Sequence, residues 1–404
     1  MFKLKTVDLA ARRRVGGPFF TALIVFLVLR LGTSFAVAID HRLAPDATWG
    51  PVRPCSPETA QALQELGPAS QYLLAPWERW DTCHYVFIAE HGYAGNELQT
   101  VWPPLYPALI WLVDRVVSPT LLAAIIVANL ATLATLWLFF KLVAADWGEG
   151  SARRAVILMA AYPTAFFLVA GYTEALFMAL VLATMLALKQ RRWVAAGVFG
   201  FLATLTRNQG FLLAIPIFWE GWRELRKQGR LRLPQVTEIG AAQALPALAF
   251  AGFALYVHFT LKDPWPWQTL AKYWTLNTTW PWEGLLGNLR VVFGAPIPDG
   301  FNLRALIADL GLTLLAGICL ILGAKRLPVS YSLYAWTTLL IGLVKVHETG
   351  VMMSMSRYTL SLFPIFIVQA LEIRERLPFW LWVALNAAGQ VVLLIAFTRW
   401  IWVA

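Results

Sequence analysis

An all-α polytopic membrane fold is what this sequence predicts, and three observations predict it. Of 404 residues, 59% are hydrophobic and only 14% are charged, with 20 Trp and 24 Phe. Apolar runs of about 18 or more residues recur along the chain, the length at which a helix crosses a bilayer. Between them the basic residues stand in short clusters: Arg12–Arg14, Arg153–Arg154, Lys189–Arg192, Arg223–Arg232, Lys325–Arg326 and Arg374–Arg376. That placement follows the positive-inside rule. The net charge of +10 therefore reports orientation in a membrane and not affinity for nucleic acid.

Each element follows from placing those clusters in the cytoplasm. The run 19–39 is too long for a signal-peptide core and has no small-residue cleavage site, which predicts a retained helix. Further crossings are expected at 120–144, 152–170, 174–190, 193–206, 208–222, 239–261, 303–324, 329–347, 355–373 and 378–400. The total is about 11 transmembrane helices, with the N-terminus inside and the C-terminus outside. Trp102–Val117 carries Pro103, Pro104 and the pair Asp114-Arg115, which suits a re-entrant or interfacial helix buried against protein. The runs 193–206 and 208–222 are short for an apolar thickness of about 30 Å and read as a hairpin with Arg207 near its tip. Two large external loops remain, 40–101 and 262–302, within a single integral-membrane domain spanning 1–404 that shows no internal repeat.

On this path the unusual polar groups share one face. Asp81, His84 and Glu90 lie in the first external loop, Tyr172-Thr173-Glu174 at a helix tip, and Arg207 at the next. Lys345, His347 and Glu348 end one crossing, and Arg357 opens the following one. An ionisable group at membrane depth costs at least ~2.5–3.5 kcal/mol, so several on one side predict a polar cavity at the outer leaflet. Taken singly, Glu174 also suits a helix N-terminus and Arg357 a headgroup contact. His258 and His347 belong to no metal-ligand spacing, so no metal is expected. Trp265, Trp267, Trp274, Trp280 and Trp282 crowd the second loop, as an interfacial belt does and as rings beside a sugar or prenyl site would. Cys55 and Cys83 share the first loop, where a disulfide and two free thiols are both open.

The sequence holds no Walker loop, GxSxG, dinucleotide fingerprint or DxD pair. An external site needs its activated substrate delivered through the membrane. A lipid-phosphate sugar fits, with arginines to receive the phosphate and a carboxylate to activate an acceptor hydroxyl. The rival class is a lipid or sugar transporter or flippase, which should display repeated halves with matching broken helices.

The stretch RWDTCHYVFIAEHGY (79–93) resembles the first luminal loop of the PIG-V family, the second mannosyltransferases of GPI-anchor assembly, and of its bacterial relatives. VWPPLYPALI (101–110), GYTEALF (171–177), TRNQG (206–210) and SRYTLSLFPIF (356–366) are similar, in order, to further segments of that family. The resemblance implies a GT-C fold and inverting transfer of mannose from a polyprenyl- or dolichyl-phosphate-mannose donor to an acceptor hydroxyl, on a glycolipid or similar molecule. It implies Asp81 as the catalytic carboxylate and Arg207 and Arg357 as the groups neutralising the leaving phosphate. His84, Glu174 and Tyr172 would orient hydroxyls, and Gln268 and Trp274 would close the second loop over the sugar. It further implies a multi-pass protein of a bacterial cell membrane, or of the ER membrane in a eukaryote, with no cofactor and with lipid-linked donor, membrane-associated acceptor and membrane lipids as partners.

Overall fold

The computed structural model describes residues 16–44, 55, 57–67, 70, 73–93, 95–228 and 233–403. The Arg12–Arg14 cluster and the 229–232 end of the Arg223–Arg232 cluster lie outside the described residues.

The first helix, α1 (Gly16–Leu43), leaves Phe20, Val28, Leu31 and Phe35 largely exposed, as a lipid-facing helix does. The following segment is not a plain loop. It contains α2 (Pro57–Glu65) and α3 (Asp81–His91), then α4 (Leu105–Asp114) after the paired prolines. At 10 residues α4 rises about 15 Å, half of what a crossing needs.

The next helix, α5 (Thr120–Ala161), breaks at Gly148 (φ 79°, ψ 166°) into two arms where two crossings were expected. Its second arm ends at Ala161 and not near 170, because Pro163 has no N–H to continue the ladder. The carbonyls freed there are not orphaned. Gln390 Nε2 donates to Ala160 O at 3.1 Å and to Tyr162 O at 2.9 Å.

Then come α6 (Glu174–Lys189), α7 (Trp193–Thr206), α8 (Ala214–Gln228) and α9 (Leu233–Leu255), whose last turns widen over Tyr256–Leu261. The expected crossing 208–222 begins later than proposed, since Asn208–Leu213 forms tight 3₁₀ turns. In the second loop α10 (Pro266–Trp274), β1 (Leu276–Thr278) and α11 (Glu283–Val292) lead to α12 (Leu303–Gly323). The helix α13 (Val329–Leu343) stops short of 347, because the chain turns into β2 (Lys345–His347). Strand β2 pairs antiparallel with β1, Leu276 opposite His347 and Thr278 opposite Lys345. The expected crossing 355–373 is two helices, α14 (Met355–Leu360) and α15 (Phe363–Glu372), parted before Pro364. The last is α16 (Arg376–Thr398).

Among the described residues five helical stretches can cross a membrane by length and composition: Gly17–Leu43, Thr120–Ala161, Leu233–Leu261, Leu303–Gly323 and Arg376–Thr398. Among the shorter apolar helices α15 sits inside the protein; every residue from Phe363 to Leu371 is buried. The two ends of α6 separate two charged regions by about 24 Å. Lys189, at its end, pairs with Asp146 beside the basic clusters, and Glu174, at its start, enters the site described next.

Candidate active site

Four local arrangements aim charged side chains at one point. Arg79 and Trp80 of the first motif are anchors: Arg79 Nε donates to Thr398 O at 2.9 Å, and the Trp80 ring meets Trp400 and Trp402 edge-on. This pins the start of α3, whose first residue is Asp81. The glycine of GYTE lets the next loop close on that turn, since a Cβ at Gly171 would stand 2.7 Å from Thr82 Cγ2. In TRNQG, Arg207 is extended after α7 and Gly210 N–H bonds back to Arg207 O at 2.8 Å. The SRY segment is held from behind: Asp309 Oδ1 accepts Ser356 N–H at 2.7 Å, and Thr164 Oγ1 donates to Ser356 O at 3.0 Å.

The result is a network of two carboxylates and two guanidiniums. Arg357 Nη1 donates to Asp81 Oδ2 at 2.7 Å, and Arg357 Nε lies 3.3 Å from Glu174 Oε1. Arg207 Nη1 bonds the same Glu174 Oε1 and reaches Thr173 Oγ1 at 3.3 Å. The four side chains are between 1% and 14% exposed, so water screens their charges little. Aromatic faces complete the cradle. Arg357 lies 5.5 Å from the Tyr172 ring centre and 5.9 Å from that of Tyr358, and Arg207 lies 5.5 Å from Tyr358. Asp81 and Glu174 each open a helix, where the positive end of the backbone dipole faces a carboxylate.

Asp81, Arg207 and Arg357 reach a cavity of about 370 Å³. Its far walls are apolar and aromatic, including Phe211, Phe250, Trp267, Leu270, Trp274 and Ile341. A charged head with an apolar tail matches that lining.

The other expected site residues fall elsewhere. Glu174 does not line the cavity: its side chain is 1% exposed and its Oε1 is taken by two arginines. Tyr172 is buried, and its hydroxyl accepts Asp81 N–H at 3.3 Å. His84 stacks under Trp102 with ring centres 4.0 Å apart, and burial pushes its imidazole below the usual histidine range. Gln268 caps α10, its Oε1 accepting Trp265 N–H at 3.1 Å, and points its amide at its own backbone. Only Trp274 of that second group lines the cavity. Sequence reasoning missed Tyr358, Thr173 and Trp267 as site residues. The first two adjoin motif charges, and Trp267 stood undifferentiated among five loop tryptophans. Cys55 and Cys83 form a disulfide, and Cys319 is free and buried.

Fold and site together define a multi-pass helical membrane protein with an ion-paired cleft at the head of an apolar cavity. The family model described as Mannosyltransferase (PIG-V) matches residues 23–219, a little under half of the chain. Asp81, Glu174 and Arg207 lie inside the match, Arg357 beyond it. The GPI alpha-1,6-mannosyltransferase 2 of Mus musculus is 33% identical over 174 residues, covering 39% of this chain and 34% of that protein. The Cricetulus griseus protein is 34% identical over 153 residues (35% and 30%), and the Homo sapiens protein 33% over 152 (35% and 30%). The chain thus spans about a third of the curated relatives it matches. Among solved structures, an apo oligosaccharyltransferase of Archaeoglobus fulgidus is similar at TM-score 0.47 and 13% identity, covering 94% of this chain and 56% of that one.

Proposed function

We propose that the chain is an inverting glycosyltransferase, moving mannose from a polyprenyl- or dolichyl-phosphate-mannose donor to a hydroxyl of a membrane-associated glycolipid on the external face. The observation that carries this reading is the Asp81–Arg357–Glu174–Arg207 network at the charged end of an apolar cavity. The match to the PIG-V family model supports mannose as the sugar.

Arg357 holds Asp81 Oδ2. A donor phosphate entering between the guanidiniums draws on Arg357 and Arg207 and loosens that hold. Asp81 then takes the proton of the acceptor hydroxyl. The acceptor oxygen bonds to the anomeric carbon as the carbon–oxygen bond to phosphate breaks on the opposite face. The electron pair leaves with the lipid phosphate, whose growing charge the two arginines stabilise. One displacement inverts the centre, and no second carboxylate is needed as nucleophile. Glu174 acts on the arginines, holding both in place.

The test uses purified protein in nanodiscs with polyprenyl-phosphate mannose. Asp81→Asn should lower release of polyprenyl phosphate on the order of 10²–10⁴-fold, the usual worth of a general base, while donor still binds. Near-normal turnover by that variant would end the reading. Arg357→Ala should instead weaken donor binding.

A further inference from the structure

We propose that Lys345 is a third cation of the donor site, matching the cavity to a lipid phosphodiester that carries one negative charge. The inference rests on the transferase reading above and deepens it, naming a residue that reading does not use and the phosphate class it selects.

Lys345 lines the same cavity as Arg207 and Arg357. It opens β2 directly opposite Thr278 of β1, and its Nζ donates to Thr278 Oγ1 at 2.7 Å. That partner is neutral. Asp81 is the carboxylate among the cavity-lining residues and is engaged by Arg357; behind it Glu174 is engaged by both arginines, and Glu97 by Lys272 at 2.9 Å. The cleft therefore holds three cations against two carboxylates, and one positive charge is left for a ligand.

This balance separates lipid donors by charge. A sugar phosphodiester is a monoanion at neutral pH and brings the cleft to neutrality. A lipid-pyrophosphate sugar carries two charges and leaves one uncompensated beside the buried network of Asp81, Glu174, Arg207 and Arg357. The released lipid phosphate is a monoester whose second ionisation falls near pH 6, so above that it too is a dianion. Lys345 sits on a short hydrogen-bonded ribbon rather than at the network, which makes it a cation for the phosphate and leaves proton transfer to Asp81.

The experiment titrates the full chain in nanodiscs at pH 8 with three probes: polyprenyl-phosphate mannose, polyprenyl phosphate and a polyprenyl-pyrophosphate sugar. Wild type, Lys345→Met, Lys345→Arg and Arg357→Ala are compared at low and high salt. Lys345 is exposed, so Lys345→Met should weaken polyprenyl phosphate by roughly tenfold or less, one partly screened charge contact, and the monoanionic donor by less. The salt dependence should flatten, and the catalytic loss should lie in KM more than in kcat. Lys345→Arg should restore binding. If Lys345→Met binds all probes like wild type while Arg357→Ala does not, this proposal is wrong and the transferase reading stands. If neither variant alters binding of polyprenyl phosphate, the reading of the cleft itself fails. Tighter binding of the pyrophosphate sugar than of the phosphate sugar overturns the single-charge argument.

Discussion

Replacing Glu174 by Gln removes one negative charge and almost no volume from the middle of the network. Its side chain is 1% exposed, and a single oxygen serves both Arg207 and Arg357. Removing one partner of a buried ion pair costs about 3–5 kcal/mol, because the remaining charge stays desolvated. The amide retains an acceptor oxygen, so the lower figure, about 3 kcal/mol, applies here. With 404 residues and about 2.1 cal/mol/K of unfolding entropy per residue, that corresponds to a fall of roughly 3–4 °C in Tm. Ligand binding should move the other way. An anion about 8–10 Å from the missing charge, at an effective dielectric near 20, gains about 2 kcal/mol. Thermal unfolding in detergent and titration with polyprenyl phosphate measure the two effects on one preparation. A variant as stable as wild type that binds the lipid phosphate more weakly would refute the argument. Glu174 would then contact the ligand directly, as an orienting residue, and would not serve as a brace for arginines.

Gly210→Ala should unfold or misplace the turn after α7, because its Cβ would stand 2.3 Å from Thr204 N, a backbone atom that cannot rotate away. Donor affinity should fall with Arg207, and a well-folded variant with normal affinity counts against the turn's role. Glu78 is fully buried, accepts the Cys55 N–H, and is pushed up to about 7 by burial. A carboxyl raised in the folded state stabilises below its unfolded value near 4.5, and that contribution is lost as pH rises to about 7. Wild type should therefore lose about 3 kcal/mol across that window relative to Glu78→Gln, read as a difference between their Tm–pH curves. Asp309→Ala strands the Ser356 N–H, costing about 1–3 kcal/mol, and should weaken donor binding through Arg357; unchanged donor binding would show that α14 is held without it.

Much of the helical plan was legible in the sequence because spans are written locally. Hydrophobic length, basic clusters and proline positions act within one segment, and the ends of α6, α7, α12 and α16 fall within a few residues of expectation. The misses have two causes. The end of α5 and the break between α14 and α15 follow from Pro163 and Pro364, which a hydropathy average passes over. The turn of 345–347 into a strand is settled by a distant partner, Leu276–Thr278. Hydropathy carries no trace of that pairing.

The site divides in the same way. The sequence by itself determined which residue types were anomalous in lipid, namely Asp81, Glu174, Arg207 and Arg357, because a charge in an apolar run is costly wherever it points. Only the tertiary structure decided how they divide the work. Glu174 lies behind the arginines, its Oε1 shared by both, whereas Asp81 pairs with Arg357 and lines the cavity. His84 and Gln268 turned from the cavity because a stacked ring and a helix cap used their polar and aromatic surface first. Lys345, ordinary at the end of an apolar run, became a cavity cation once β2 found β1, a pairing across 67 residues that no local pattern encodes.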